Sequence, residues 1–476
     1  MTSEPTTERP WLTFAAVSSA VFLSTLDGSI VNIALPTLSR EFGRPLAVVQ
    51  WVVLGYLLTQ STLALMLGRL GDMIGKKRIF TAGFVVFTVF SVASAAAPNV
   101  YALIAARALQ AVGGAMVIAL GIAILTEAFP SSQRGQVLGL IGAVVSVGIV
   151  TGPTLGGLIL GSLSWPWIFL VNLPVGIVGT AMAIRYVPDT VPAGKQQFDF
   201  GGAGVFLIAL LSLLVALSIG QETGFGSTPV LILLLASPLA GVLFIWIERR
   251  ASQPMLDLTM FSHIDFSIGI ATGLLAFVSI GGLFIITPFY LSETLGLGAR
   301  AVGLVIAAGP LLIGLTAPLS GRASDRIGSR PVTVVGLIVV SIGYVLLLRV
   351  SADSGTGAIL AGLMPIGAGM GIFQSPNNSA VMGSVPRERF GVAGSLLTLN
   401  RIIGQTIGIA ALAAIWTMRL NGRLTAQPFG EPSVVAEAGA YRDFAAVAAV
   451  IVLIALAFAS WALWRERSGA ARSVAT

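Results

Sequence analysis

The chain has 476 residues and a formal net charge of +7; 55% of its residues are hydrophobic and only 10% are charged. Soluble domains carry about 25% charged residues, so this composition excludes a soluble enzyme, a disordered chain and a secreted disulfide scaffold. With no Cys and one His, the chain cannot build a disulfide, a thiol nucleophile or a multi-histidine metal site, and we predict neither a catalytic residue nor a metal or other cofactor.

Fourteen apolar segments are long enough to cross a membrane, because a helix of about 20 apolar residues spans ~30 Å of hydrocarbon. We predict an all-α polytopic membrane protein with a six-helix bundle at 1–186, a linker with two additional helices at 187–262 and a second six-helix bundle at 263–476. Pro192 and Gly194 mark the linker. The predicted spans are 12–35, 46–67, 79–97, 100–128, 137–160, 166–186, 200–219, 229–247, 264–291, 299–320, 332–350, 356–381, 391–417 and 442–464.

Most of the 27 Lys and Arg residues fall in the loops on one side of the membrane, the side that also holds both termini. Basic loops stay in the cytoplasm, so we expect a multi-pass protein of the plasma (inner) membrane with both termini cytoplasmic. This distribution also accounts for the positive net charge without a nucleic-acid partner. Membrane lipids are the expected surroundings, and a monomer is the expected state.

Two ionisable residues, Asp27 in the first span and Arg107 in the fourth, lie inside apolar runs. At 1.5 Å per residue both are roughly 9–12 Å from the outer ends of their helices. Ionised side chains near the bilayer centre cost about 2.5–3.5 kcal/mol and are functional-site candidates. Two interpretations stay open: proton coupling by Asp27 with Arg107 beside it, or a fixed structural ion pair. A carboxyl group with no route to a pocket or to water would argue against proton exchange.

The segment GRLGDMIGKKR, at 68–78 after the second span, recurs as GRASDRIGSRP at 321–331. Such a repeat indicates two related halves, an architecture of secondary transporters. The glycines permit a tight turn and close helix approach, and Asp72 is expected to cap a helix or to pair with a basic residue. We interpret the segment as a latch that holds the cytoplasmic side shut; the alternative is an orientation signal on an ordinary turn. The predicted latch residues are Gly68, Arg69, Gly71, Asp72, Gly75, Arg78, Asp325 and Arg326.

The fifth span contains GIVTGPTLGG at 148–157. Glycines at four-residue spacing share one helix face, small residues on that face let another helix approach closely, and proline bends the helix. We interpret this face as the surface on which two bundles rock; the alternative is static helix packing. The residues of this segment are Gly148, Gly152, Pro153, Gly156 and Gly157.

Four segments in chain order resemble the signatures of one family. They are LDGSIVNIALP at 26–36, GRLGDMIGKKR at 68–78, RALQAVGGAM at 107–116 and GIVTGPTLGG at 148–157. The chain resembles the major facilitator superfamily and, more narrowly, its 14-helix drug:proton antiporter family, along nearly the whole length. The resemblance implies the major facilitator fold and a transporter, not an enzyme, that exports amphipathic small molecules or drugs in exchange for protons by alternating access, as in multidrug efflux and antibiotic resistance.

The expected energy source is the proton gradient, because the chain has no GxxxxGK[ST] phosphate-binding segment. One alternative is an exporter or importer of one specific metabolite or siderophore in the same fold. A second alternative, a membrane sensor that transports nothing, is disfavoured by the two copies of the repeated segment.

Pockets for drug-like molecules are mostly apolar with a few polar groups, which makes polar and aromatic residues of the spans candidates for substrate binding; the alternative for each is packing. The second half places no carboxylate in mid-membrane, which argues against polycationic substrates. Pro376 is expected to break its helix locally, and 418–441 to form an outer loop. The candidate substrate-binding residues are Asn32, Tyr56, Gln60, Phe289, Tyr290, Phe373, Gln374, Asn377, Asn378, Asn400 and Arg401.

Overall fold

The computed structural model describes residues 9–44, 46–189, 199–251, 254, 256–297, 299–426 and 433–474. These residues form helices joined by turns, and the described part contains no strand. Fourteen helical segments within it are long and apolar enough to cross a membrane, which confirms the predicted class and number of spans. The predicted linker residues Pro192 and Gly194, and 427–432 of the predicted outer loop, lie outside the described residues.

The chain folds into two compact units, which do not coincide with simple halves of the sequence. The start of the helix near residue 390 packs with the first half, and the two inserted helices are divided between the units. Unit 1 consists of Met1–Val215, Leu233–Met260 and Val385–Leu399, and unit 2 of Ala216–Ile232, Phe261–Ser384 and Asn400–Thr476.

The apolar runs of the first half form eight helices. Asn99 begins the fifth of them, since its side-chain oxygen accepts a hydrogen bond from Ala102 N at 2.9 Å. The sides of these helices that face each other bury a core containing Phe80, Phe84 and Leu120. The helices are α1 (Pro10–Phe42), α2 (Leu46–Val49), α3 (Trp51–Ile74), α4 (Lys76–Ala95), α5 (Val100–Ala128), α6 (Arg134–Ser162), α7 (Trp167–Leu170) and α8 (Asn172–Tyr186).

The rest of the chain forms nine helices, of which the first two are the inserted pair. Unit 2 buries its own core, with Tyr344, Phe373, Tyr441 and Phe444. The helices are α9 (Phe200–Thr223), α10 (Thr228–Glu248), α11 (Ile264–Gly281), α12 (Leu283–Phe289), α13 (Ala299–Ile327), α14 (Ser329–Leu347), α15 (Thr356–Gly383), α16 (Phe390–Ala426) and α17 (Ser433–Val474).

The repeated segments form the same turn in both units. Gly75 ends α3 with a φ of +106°, and Gly328 ends α13 with a φ of +91°. Side chains with a Cβ avoid this backbone region, so glycine is required at both positions. The next helix starts at the following residue in each case, which gives each unit a sharp helix-to-helix turn.

Inside the membrane, one helix differs from its prediction, and another is divided within its predicted span. Pro376 does not break its helix: α15 runs unbroken through Pro365 and Pro376, because neighbouring helices stabilise a membrane helix around a proline. The helix predicted at 264–291 is found as one span, Ile264–Ser292, in which α11 and α12 are divided at Gly282 while the backbone stays right-handed helical. The span ends in a π-helical turn, Tyr290–Thr294, after Pro288.

The prediction of an outer loop over 418–441 is wrong for most of its length. Helix α16 continues to Ala426, and α17 already begins at Ser433. Hydropathy marks only the part of a helix inside the bilayer, and these polar turns continue beyond it. The two extensions are joined by an ion pair between Arg423 Nη2 and Asp443 Oδ2 at 2.8 Å.

Candidate functional site

Asp27 of α1 and Arg107 of α5 form an ion pair inside unit 1. The distance from Asp27 Oδ2 to Arg107 Nη1 is 2.6 Å, and both residues are 0% exposed. The guanidinium also lies over the ring of Tyr56, with Cζ 4.2 Å from the ring centroid, a favourable cation–π arrangement. Asp27 and Arg107, which the sequence places at similar depths from the outer ends of their helices, are thus in direct contact.

Two amides complete the surroundings of Asp27, and the sequence analysis missed both. Gln110 Nε2 donates to Asp27 Oδ1 at 3.1 Å, and Asn172 Nδ2 donates to the same oxygen at 2.8 Å. Gln110 Oε1 accepts a hydrogen bond from Arg107 Nη1 at 2.8 Å. Gln110 follows Arg107 by three residues and so shares its helix face, a signal that could have identified it.

A second cluster of hydrogen bonds supports the arginine. The Tyr56 hydroxyl and the Ser24 hydroxyl are 3.2 Å apart, and Gln60 Nε2 donates to both, at 3.2 and 3.1 Å. A Cβ at Gly114 would lie 2.7 Å from the Tyr56 hydroxyl, so glycine makes room for the cluster. Tyr56 and Gln60, predicted to bind substrate, are buried here and hold the ring beneath Arg107.

The carboxyl group of Asp27 has no exposure to water or to a pocket in this structure. In this conformation the ion pair encloses the carboxyl group, and proton coupling by Asp27 stays a prediction. Both oxygens accept hydrogen bonds, one of them charge-assisted. Proton exchange at Asp27 would require the pair to open.

The glycine face of α6 packs against α1 within unit 1, which corrects the interpretation of a surface between bundles. A Cβ at Gly156 would lie 2.9 Å from Ile30 Cγ1. Gly157 has open space around it, and the side chain of Pro153 lies outside the described residues. The other two glycines of this face are also close to α1. A Cβ at Gly148 would overlap the side chain of Thr25, and a Cβ at Gly152 would overlap that of Ser29.

Asp72, near the end of α3, binds the first turn of α16. Its Oδ1 accepts from Gly391 N at 3.0 Å and its Oδ2 from Val392 N at 3.1 Å. These donors have no partner inside their own helix, and the positive end of the helix dipole favours an anion there. Lys76 Nζ lies 2.9 Å from Asp72 Oδ1 and 2.9 Å from Glu127 Oε1. Asp72 therefore both caps a helix and pairs with a lysine.

Glycines allow this close approach between α3 and α16. A Cβ at Gly391 would lie 2.5 Å from Asp72 Oδ1, and one at Gly68 would lie 2.7 Å from Gly391 O. Gly71 makes similar room for Leu120 of α5. The glycines of the repeated segment therefore serve tight helix contacts as well as the turn.

The basic residues of the same segment are placed differently from each other. Arg69 is buried and interacts electrostatically with Asp257 and Arg389. Arg78 is exposed and has no ion-pair partner within the described ranges. Arg389 Nη2, in the turn before α16, lies 3.3 Å from Asp257 Oδ2.

The chain that follows α10 thereby reaches the same end of unit 1 as Asp72. Glu248 is buried at the end of α10 and accepts a hydrogen bond from Leu256 N at 3.1 Å. Burial raises the pKa of the neighbouring Asp257 carboxyl, but hydrogen bonds from Thr259 and the charge of Arg389 lower it more, so its pKa lies below the usual range. Asp257 is therefore held as an anion beside Arg389.

Unit 2 uses a different residue of the repeated segment. Asp325 is half-buried and Arg326 is exposed. Arg330, which the sequence analysis did not select, pairs with Asp265 and lies 3.4 Å from Glu466 Oε2. A cavity of about 260 Å³ opens beside this cluster, lined in part by Thr272 and Asn377. In the described part of the chain no group of His, Asp and Glu is placed to hold a metal ion.

Of four further candidate substrate-binding residues, two are buried in a core and two are exposed. Tyr290 and Phe373 are at most 1% exposed and belong to the core of unit 2. They pack rather than line a pocket in this conformation. Phe289 is 51% exposed, and the exposed Asn32 donates to the backbone oxygen of Gly28 at 3.1 Å.

The amide and guanidinium candidates of unit 2 fall into two groups. Asn377 donates to Gly269 O at 3.0 Å, and Asn400 donates to Ile270 O at 2.9 Å, so both anchor their helices to α11. The remaining three are half-buried and have no hydrogen-bond partner within the described residues. They are Gln374 and Asn378 of α15 and Arg401 of α16.

A family model described as Major Facilitator Superfamily matches residues 17–411 and, in an overlapping second match, residues 270–476. The "Riboflavin transporter RibZ" of Clostridioides difficile is 32% identical over 418 residues, 87% of this chain and 90% of that protein. The "Multidrug resistance protein Stp" of Mycobacterium tuberculosis is 32% identical over 414 residues, 87% of this chain and 77% of that protein. The crystal structure of the human organic anion transporter MFSD10 matches with a TM-score of 0.66 at 15% identity, covering 94% of this chain and 99% of that one; this likeness shows the fold alone.

Proposed function

Because this chain belongs to the major facilitator superfamily, we propose that it exports amphipathic small molecules in exchange for protons by alternating access. The family assignment makes the chain a multi-pass membrane transporter of small molecules rather than an enzyme. A relative named as a multidrug resistance protein supports drug-like substrates. The buried pair of Asp27 and Arg107 is the observation that carries the proton-coupling part of the proposal.

The energetic argument starts from what a buried ion pair contributes. Removing two charges from water costs so much that apolar residues of similar volume are often as stable or more so. A pair kept at membrane depth is therefore a functional candidate before it is a stabilising one. In the proposed cycle, opening towards the outside separates Asp27 from Arg107 and lets Asp27 take up a proton; release of that proton inside re-forms the pair.

Asn172 supports a protonated form of Asp27. Its Oδ1 is buried and has no hydrogen-bond partner within the described residues, while its Nδ2 donates to Asp27 Oδ1 and to Ser91 Oγ. Rotation of the amide would turn this unused acceptor towards Asp27. A protonated carboxyl group could then donate to it, so one amide suits both protonation states.

The test compares wild type with Asp27→Asn in proteoliposomes, using the neutral amphiphile N-phenyl-1-naphthylamine as the probe. We expect the variant to lose transport driven by a pH gradient while it still exchanges labelled for unlabelled probe at equal pH on both sides. Asp353→Asn makes the same chemical change at an exposed residue and should behave as wild type. Unchanged coupling in Asp27→Asn would place the proton site elsewhere and leave the ion pair a structural role.

The cytoplasmic cluster supports the alternating part of the proposal. The contacts of Asp72 with α16, together with the pairing of Lys76, form the proposed latch that keeps the cytoplasmic side shut while the outer side is open. We further propose that both termini are cytoplasmic, that the protein is a monomer in the plasma (inner) membrane, and that the proton gradient is its energy source.

A second candidate is transport of one specific metabolite, which the relative named as a riboflavin transporter favours. Inside-out vesicles separate the two candidates, since counterflow can be measured with riboflavin and with N-phenyl-1-naphthylamine in the same preparation. Exchange of riboflavin alone supports the second candidate, and exchange of the amphiphile supports the first.

A further inference from the structure

Arg401 of α16 is a cation at membrane depth that the proposed proton pathway does not use. It lies eleven residues after Phe390, the first residue of α16, which is about 16 Å along the helix axis. Its side chain is half-buried, and it has neither an ion pair nor a hydrogen bond to another described residue.

The sequence of the second half offers Arg401 no acid in mid-membrane. The acidic residues of this half stand at or beyond the ends of its predicted membrane spans, where Asp265 pairs with Arg330 and Asp443 pairs with Arg423. The stretches without Asp or Glu are 266–292, 299–324, 329–352, 356–386 and 390–426.

Polar residues near the level of Arg401 lie on α15 and α16, and both helices are hydrogen-bonded to α11. A Cβ at Gly273 would lie 2.7 Å from Asn400 Nδ2 and 3.4 Å from Asn377 Nδ2, so the two asparagine amides meet at this glycine. The residues that follow them in sequence, Asn378 and Arg401, therefore lie at a similar level of α15 and α16.

Each helix continues this polar character by one turn. Gln374 shares a face of α15 with Asn378, and Gln405 shares a face of α16 with Arg401, because residues four apart lie above one another. All four side chains are half-buried, and none has a hydrogen-bond partner within the described residues. Exposed polar groups at this depth are costly against lipid and are found facing water-filled cavities. The set therefore offers free donors and one full positive charge.

We propose that Arg401, assisted by Gln374 and Asn378, binds an anionic group of the transported molecule, a carboxylate or a sulfonate. The guanidinium donates two parallel hydrogen bonds to the two oxygens of such a group. A ligand with a neutral amide or an ammonium in its place cannot accept both of these hydrogen bonds. Unit 2 thus favours anionic amphiphiles over cationic ones of the same shape. The proposal rests on the proposed function only in taking the ligand to be the transported molecule.

The experiment uses three probes built on one aromatic frame: biphenyl-4-carboxylate, biphenyl-4-carboxamide and biphenyl-4-methylammonium. Their dissociation constants are measured by calorimetry on the full-length protein in detergent, without a proton gradient. We expect the carboxylate to bind about tenfold more tightly than the amide, as a charge-assisted hydrogen bond allows, and the ammonium to bind most weakly. Arg401→Gln should remove the preference, and Arg401→Lys should retain part of it.

Arg419→Gln is the matched control, because it removes the same charge from an exposed position of the same helix and should leave the preference unchanged. Equal affinities for the three probes, no binding of the carboxylate, or a preference that survives Arg401→Gln would each overturn the proposal. Since no gradient is present, the measured preference among the probes does not depend on proton exchange at Asp27. A failure of proton exchange and a failure of anion binding are therefore distinguishable.

Discussion

The two units carry their membrane-embedded charge in opposite ways. In unit 1, Arg107 is fully buried and its guanidinium is bound to Asp27, Gln110 and the ring of Tyr56. In unit 2, Arg401 is half-buried and has no described partner. The first arrangement satisfies its charge within the unit, and the second has no such partner among the described residues. The halves thus share a scaffold but place their membrane-embedded arginine differently.

What the halves share is the backbone. Besides the turns at Gly75 and Gly328, the fifth span of each half packs its glycines against the first span. Gly156 of α6 meets α1, and Gly408 of α16 meets the backbone of α11 at Val278. Close helix contacts and turns are therefore repeated, while the charged residues set on them have diverged.

The largest effect expected is on stability, and it separates the two arginines. Arg107→Gln leaves the Asp27 carboxylate buried without its partner, which costs about 3–5 kcal/mol. Arg401→Gln removes no described partner and should change stability by no more than about 1 kcal/mol. The unfolding midpoint in detergent, followed by tryptophan fluorescence, measures both. Equal losses would show that Arg401 has a structural partner after all.

The next effect concerns the clusters at the two repeated segments. Asp72→Asn weakens the cap on α16 and the pair with Lys76, so we expect insertion and expression near wild type with transport reduced about tenfold or more, equivalent to about 1.4 kcal/mol. Asp325→Asn changes the equivalent residue of unit 2, which is only half-buried, and should have a smaller effect. Transport assays at matched expression compare them, and wild-type transport by Asp72→Asn would remove the latch from the proposal.

The last prediction tests the shared packing. Gly156→Leu forces a side chain into Ile30 and should destabilise unit 1 by about 1–3 kcal/mol. Gly157→Leu, on the adjacent position with open space, should be close to neutral. Gly408→Leu should be at least as disruptive as Gly156→Leu, because its Cβ meets backbone rather than a side chain. Thermal unfolding of the three variants tests this order, and a neutral Gly408→Leu would argue against equivalent packing in the two halves.

The fold was largely predictable because a bilayer imposes its own length scale. Each apolar run of about 20 residues must form a helix to satisfy its backbone, so hydropathy located all fourteen spans. The same signal failed beyond the bilayer, where α16 continues through Arg419 and Arg423 to Ala426. Water satisfies the backbone there, and polarity no longer separates helix from loop.

The candidate site was predictable only where a residue is conspicuous in its surroundings. Asp27 and Arg107 stand out as charges in apolar runs. Asn172 does not, since a buried amide in a membrane helix commonly serves packing. Asp72 caps α16 by accepting hydrogen bonds from the backbone N–H groups of Gly391 and Val392. Every residue except proline carries such a group, so no sequence pattern marks these two. The tertiary contact alone identifies them.

The ion pair between Asp257 and Arg389 bears on how the two inserted helices fit between the six-helix halves. It ties the segment emerging from the inserted helices to the turn that presents Gly391 to Asp72. An excision that rejoined the two six-helix halves directly would therefore also remove an anchor of that turn. The inserted helices therefore contribute, through Asp257, to the contact by which Asp72 holds the start of α16.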